Sequence, residues 1–321
     1  MSADSYREKY LMPNGVYNTF YPEWSQNQKS YYGGITYRHS GYLRAYAVDA
    51  QTPSETITTY DYVDGQQVGV YKGTRLSAGT TGTRNHMEGG SFYGEKISNV
   101  PVYNYVKLIV SEYNSILFRN PVTRILPETA QITAFSNNCD GHGNSLDEFM
   151  SQVDVSTTVS GVSYVMVTQS ETADMPRFRL YRPDQVLDWE YQYDAQGDLK
   201  LCEVLIHKVV HEHYDQFLKI TEAEYVTIWC RADDNDAWTP DVEGVIEVEE
   251  GIWEYREVNQ LGYIPLVPIY QNQQLQNGVG ITPISDISQI QRSIYGDCAE
   301  IYSAITYSAH PSLGVDATTH Q

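Results

Sequence analysis

The sequence predicts an α+β fold in which early helices lead into a run of antiparallel strands and then into one long helix. Three observations predict it. Residues from about Val102 to Phe118 and from Ser145 to Gly161 repeat apolar side chains at helical steps. Residues from Arg177 to about Ile269 form short β-rich runs punctuated by turn residues. From Thr282 to about Ser308, isoleucines recur every three or four positions. With 321 residues and 41% apolar content, the chain can bury one large core or two modest ones.

Residues 1–98 are rich in Tyr, Gly, Ser, Thr and Asn, with turn pairs at Asn14-Gly15, Gly33-Gly34 and Asp64-Gly65. They read as an irregular, partly extended arm, with short hairpins where Gln67-Val68-Gly69-Val70-Tyr71 alternates. The first helix is predicted from Val102 to Phe118, burying Val102, Val106, Ile109, Val110, Tyr113, Ile116 and Leu117. Asn120-Pro121 stops it, because the residue before proline is pushed out of helical geometry. Ser145-Leu146-Asp147-Glu148 has capping-box spacing and opens a second helix that buries Leu146, Phe149, Met150 and Val153. Gly161 ends it, and Val162 to Thr168 follows as a buried strand.

Six strands are then predicted: Phe178 to Tyr181, Val186 to Tyr193, Leu199 to Tyr214, Glu224 to Arg231, Val245 to Glu249 and Ile252 to Val258. Asp194 to Asp198 reads as a hairpin turn, which makes the region an antiparallel meander. Pro265 and Pro268 exclude a central strand between Gly262 and Ile269 and place that segment along an edge. In the last helix Thr282 can cap and Pro283 suits the first position. Ile284, Ile287, Ile290, Ile294, Cys298, Ile301 and Ile305 then lie at a mean spacing of about 3.5, a seam that packs against other helices. The segments are therefore an arm (1–98), an α+β domain (99–281), the long helix (282–309) and a short continuation (310–321), which begins with the helix break at His310-Pro311.

Charge and composition narrow the function. There are 41 acidic and 21 basic residues, a formal charge of −20, so the broad phosphate neutralisation behind tight nucleic-acid binding is absent. The cysteines Cys139, Cys202, Cys230 and Cys298 are far apart, without disulfide-framework or zinc spacing, which suits a reducing cytoplasm. No signal-peptide pattern follows Met1, and no run has the ~18 apolar residues of a membrane span. Twenty-eight tyrosines against seven phenylalanines favour a surface that meets other surfaces, although tyrosine also suits strands.

Three clusters could carry chemistry. His207, His211 and His213 would share one face of a continuous strand and could hold a catalytic metal, but a solvated strand face is the simpler reading. Asp233 to Asp236 fails as an EF-hand loop, since Trp238 falls where glycine is required and Gly244 where the bidentate glutamate belongs. Glu247, Glu249, Glu250, Glu254 and Glu257 could supply a carboxylate pair, but they read better as charges that block stray pairing at a sheet edge. No P-loop, G-x-S-x-G or G-x-G-x-x-G is present. No cofactor, no metal site and no catalytic residue is predicted.

The order of elements resembles the tailed-bacteriophage portal family, the head-to-tail connectors. The resemblance runs from Val102-Tyr103-Asn104-Tyr105-Val106 to Asn120-Pro121, then through Ser145-Leu146-Asp147-Glu148-Phe149 to Gly161-Val162-Ser163-Tyr164-Val165. It continues in Tyr181-Arg182-Pro183-Asp184-Gln185-Val186-Leu187-Asp188-Trp189 and Gly262 to Ile269, and closes with Ile284-Ser285-Asp286-Ile287. The resemblance implies a non-enzymatic virion protein, assembled in the bacterial cytoplasm as a ring of usually twelve copies at one capsid vertex. Its implied partners are terminase, a head-tail adaptor and the major capsid protein, with genomic DNA passing through unbound. Residues 99–281 would then be the wing and 282–309 the first stem helix, packed through the seven seam residues. The first hundred residues have no counterpart in the resemblance. The clip, of which 310–321 would be the start, and the second stem helix and crown would be missing beyond Gln321. A metal-dependent hydrolase using the three histidines and a β-rich tail or adhesion protein are the alternatives.

Overall fold

The computed structural model describes residues 11–40, 42–43, 54–63, 66–76, 99–120, 122–125, 127, 129–169, 175–232, 238–272, 274–276 and 278–309. The Asp64-Gly65 turn, Pro121, the Asp233 to Asp236 run and the break at His310-Pro311 lie outside the described residues. The fold is α+β with antiparallel sheets. The chain divides into two compact units that cut across the segments read from the sequence: Met1–Gln28 with Leu108–Ser285, and Lys29–Lys107 with Asp286–Gln321.

The N-terminal region is not simply an irregular arm. Helix α1 (Gly15–Tyr32) starts where the Asn14 Oδ1 accepts the Tyr17 N–H at 2.7 Å, and α2 (Gly34–Arg38) follows Gly33 and Gly34, both at positive φ. The buried positions of α1 are Tyr17, Trp24, Asn27 and Ser30. Aromatic and polar side chains carry its helical repeat, so an apolar pattern search passes over it. A hairpin follows, β1 (Ser54–Val63) on β2 (Gln66–Leu76), in the stretch where the alternation predicts one. Helix α3 (Tyr105–Leu117) starts three residues later than the periodicity suggests, and α4 (Ala130–Asn137) is an additional helix capped by Thr129. Helix α5 (Leu146–Ser160) has the predicted capping box at Ser145 and Glu148, and Gly161 ends it in the left-handed region.

Among the described residues the first unit carries a six-stranded sheet, a three-stranded sheet and a short two-stranded one. β3 (Val162–Gln169) pairs with β4 (Pro176–Tyr181), and after a short 3-10 turn at Pro183–Gln185 come β5 (Val186–Tyr193), β6 (Leu199–Val210), β7 (Tyr214–Thr221), β8 (Glu224–Arg231), β9 (Ile246–Glu249) and β10 (Ile252–Val258). The meander runs in the order β5-β6-β7-β8-β10-β9. The predicted strand Leu199 to Tyr214 ends early, as β6 at Val210; residues 211–213 turn, and Tyr214 opens β7, a strand to Thr221 that the sequence reading does not include. β11 (Leu266–Tyr270) pairs with β3 and forms one edge of the order β11-β3-β4, where Pro268 is tolerated. β12 (Gln274–Gln276) and β13 (Val279–Gly280) then lead to α6 (Ser285–Ala309), which begins slightly later than Pro283.

Both faces of the six-stranded sheet are covered. Val186, Val204, Ile206, Leu218 and Ile220 pack with Val162, Tyr164, Met166 and Leu266 of the smaller sheet. On the other face Leu187, Leu205, Val226, Ile228 and Ile252 pack with Leu11, Tyr17 and Trp24. The backbone before α1 is tied to the edge strand β5, since the Asn14 N–H donates to the Leu187 carbonyl at 3.0 Å. Among the described residues no helix is long and apolar enough to cross a membrane.

Two glycines join these parts. A Cβ on Gly161 (φ +82) would lie 2.4 Å from the Gly280 oxygen, and one on Gly280 would lie 2.1 Å from the Gly161 oxygen. Gly161→Ala combines left-handed strain with a backbone clash. It should lower stability by about 2–4 kcal/mol, measured as a shift in the urea unfolding midpoint.

Candidate functional site

Helix α6 carries six of the seven seam residues, and Ile284 lies in the turn just before it. Its inward face in the second unit is largely polar: Ser288, Gln291 and Ser303 are buried beside Tyr295 and Ala299. The Ser288 and Ser30 hydroxyls are 2.9 Å apart. Gln291 accepts the Val106 N–H at 2.9 Å and donates to the Ser30 carbonyl at 3.0 Å. Tyr295 and Ala299 pack with Tyr37, Leu43 and Val100, and the Arg292 guanidinium lies 4.7 Å over the Tyr42 ring. Burial pushes the Tyr37 phenol above its ordinary range, against smaller opposing effects of Gln291 and Arg292, so its hydroxyl stays protonated across the physiological range.

The isoleucines are distributed quite differently. Ile284 is fully buried. Ile287, Ile294 and Cys298 are half-buried, whereas Ile290, Ile301 and Ile305 are 58%, 59% and 62% exposed. At about 100° per residue, Ile290, Ile294, Ile301 and Ile305 fall within about 60° of arc, to one side of the buried face. The helix thus holds to its own unit through amide and hydroxyl groups together with Tyr295 and Ala299, and leaves a strip of isoleucine outside.

Helix α3 repeats the pattern in its part from Leu108 onward. Asn114 donates to the Asp154 Oδ2 at 2.9 Å and to the Ser151 carbonyl at 3.1 Å, and accepts the Ser151 hydroxyl at 2.8 Å, which ties it to α5. Of the seven residues predicted to be its core face, Val106 and Val110 are buried and Val102 is half-buried. Ile109, Tyr113, Ile116 and Leu117 are exposed, Ile116 at 70%. Periodicity finds an apolar face but does not say what covers it.

The three histidines are not brought together as one site. His207 lies on β6 with its ring stacked on Phe217 and its Nε2 3.7 Å from Asp215. His211 and His213 belong to the exposed turn, their ring centroids 5.6 Å apart. The bulge between His207 and Val209, and the end of β6 at Val210, break the alternation that would have aligned them. Among the described residues no group of three His, Cys, Asp or Glu side chains is placed to hold a metal ion. Of the acidic run, Glu247 and Glu249 are on the edge strand β9, and the buried Glu254 pairs with Arg256 at 2.7 Å. Cys139, Cys202, Cys230 and Cys298 are free thiols.

No protein-family model matches the chain, and no curated protein does. The geometry of α3 and α6 is therefore what bears on function.

Gln291 is the residue that apolar pattern reading passes over. Gln291→Leu keeps the volume but strands the Val106 N–H and the Ser30 carbonyl in a buried setting. A loss of about 2–4 kcal/mol is expected in thermal or urea unfolding, at the usual cost of an unpaired buried polar group.

Proposed function

We propose that this protein is a structural subunit of a tailed-bacteriophage portal, the ring at one capsid vertex through which DNA is packaged and released. Residues 99–281 supply the wing and α6 supplies the first stem helix. The observation that carries the reading is the inverted polarity of α6: Gln291 and the serines face inward while Ile290, Ile301 and Ile305 face outward. A helix in a monomer gains stability by burying isoleucine, at about 1.5–3 kcal/mol for a fully buried side chain. Leaving a row of them in water is a cost that burial against neighbouring copies removes.

The order of elements supports the same reading. The capped helix α5 runs into β3, the meander follows, and a proline-bearing edge strand precedes the long helix, in the sequence in which the portal resemblance presents them. The charge fits a DNA conduit, because walls of the same sign as phosphate do not adsorb the duplex sliding past them. The role is that of a non-catalytic virion protein working with terminase, a head-tail adaptor and the major capsid protein.

Native mass spectrometry and negative-stain imaging of the intact protein test the reading. Closed rings of high copy number are expected, and a strictly monomeric protein at all concentrations would reject it. Ile301→Asp, at an exposed position, should leave the fold intact by circular dichroism. It should weaken ring assembly by about a hundredfold or more in concentration, since an unpaired charge buried at an interface costs about 3 kcal/mol or more.

A further inference from the structure

The isoleucine stripe of α6 needs a counterpart, and in a closed ring of more than two copies that counterpart cannot be the same stripe. Each interface of such a ring is heterologous, joining two different surfaces of the chain. Among the described residues, the exposed apolar face of α3 is a second large helical surface of this kind, formed by Leu108, Ile109, Tyr113, Ile116 and Leu117. We propose that the α3 face of one copy packs against the α6 stripe of the next copy around the ring. This inference rests on the portal reading and specifies which surfaces meet.

Three observations support this occupant. The first is area. A half-exposed side chain of this size leaves roughly 100 Å² uncovered, so the two faces together offer on the order of 1,000 Å² of apolar surface, about what a specific interface requires.

The second is charge. The chain carries −20, so two copies repel over most of their surface, yet Glu112 is the lone charged residue between Leu108 and Leu117. A second copy meets few like charges here: Glu112 lies between Leu108 and Ile116 on the α3 face, and Asp297 borders the stripe beside Ile301. The third is construction. Asn114 anchors α3 and Gln291 anchors α6 by hydrogen bonds, so both helices are held in place with their isoleucines outward. Both apolar surfaces are pre-formed, and little conformational entropy is lost when they meet.

Cysteine pairing tests the contact. Ile116→Cys and Ile301→Cys are made in the intact protein with Cys298→Ser, which removes the native thiol one turn from Ile301. Both isoleucines are exposed, at 70% and 59%, so the replacements leave the core untouched. On mild oxidation the double variant should give a ladder of disulfide-linked multimers, with a peptide joining positions 116 and 301 identified by mass spectrometry. A mixture of the two single variants should stop at linked dimers.

Homodimers formed by either single variant alone would reveal an isologous contact and overturn the pairing. Rings without a 116–301 link would overturn it too, while leaving the portal reading intact. If no rings form at all, the portal reading fails and this inference fails with it. As a check free of cysteine chemistry, Ile116→Glu and Ile301→Glu should each abolish rings. Rings that persist in Ile116→Glu would show that α3 lies outside the interface.

Discussion

Two glycine backbones in contact set the position of the root of the long helix. Gly161 and Gly280 approach so closely that neither can carry a Cβ. Around them the ends of several elements converge: the Gly161 carbonyl accepts the Gln271 N–H at 3.0 Å, and the Thr282 hydroxyl donates to the Thr158 carbonyl at 2.8 Å. Gly161 is also the left-handed residue that ends α5 and starts β3. One local conformation therefore places the end of a helix, the first strand of the small sheet and the approach to α6.

From this root the chain uses an unusual division of labour. Helices in a globular unit generally bury their apolar side and show their polar side. α6 buries Ser288, Gln291 and Ser303, and α3 is pinned through Asn114, while isoleucines of both helices remain outside. Hydrogen bonds are directional and must be made in full when buried, so they fix the rotation of a helix more sharply than apolar contact does. Apolar contact is non-directional and suits a surface that is completed by another molecule. Polar anchoring within the chain leaves both helices with a pre-oriented apolar face.

Much of the fold was legible in the sequence because the relevant signals are local. The Ser145 and Glu148 capping box, Gly161, the Asp194 to Asp198 turn, and the strands at Val186, Glu224 and Ile252 are each specified by neighbouring residues, and the structure has them there. The misses have equally specific causes. α1 was overlooked because Tyr, Trp, Asn and Ser carry its buried repeat. β6 was carried past its end, and β7 was missed, because His211, Glu212 and His213 are not typical turn residues. The histidines failed to align because a bulge and a turn shift the two-residue alternation, and neither shows in the composition.

The sequence alone determined the α+β class, the meander, the edge position of the proline-bearing strand and the long helix with its isoleucine period. These follow from caps, turns and periodicities within a few residues of one another. Only the tertiary structure decided which side of α3 and α6 is buried, because an apolar stripe has the same period whether its cover is the chain's own core or another copy. That choice is made by long-range hydrogen bonds, Gln291 to the Val106 and Ser30 backbones and Asn114 to α5, between residues far apart in the chain.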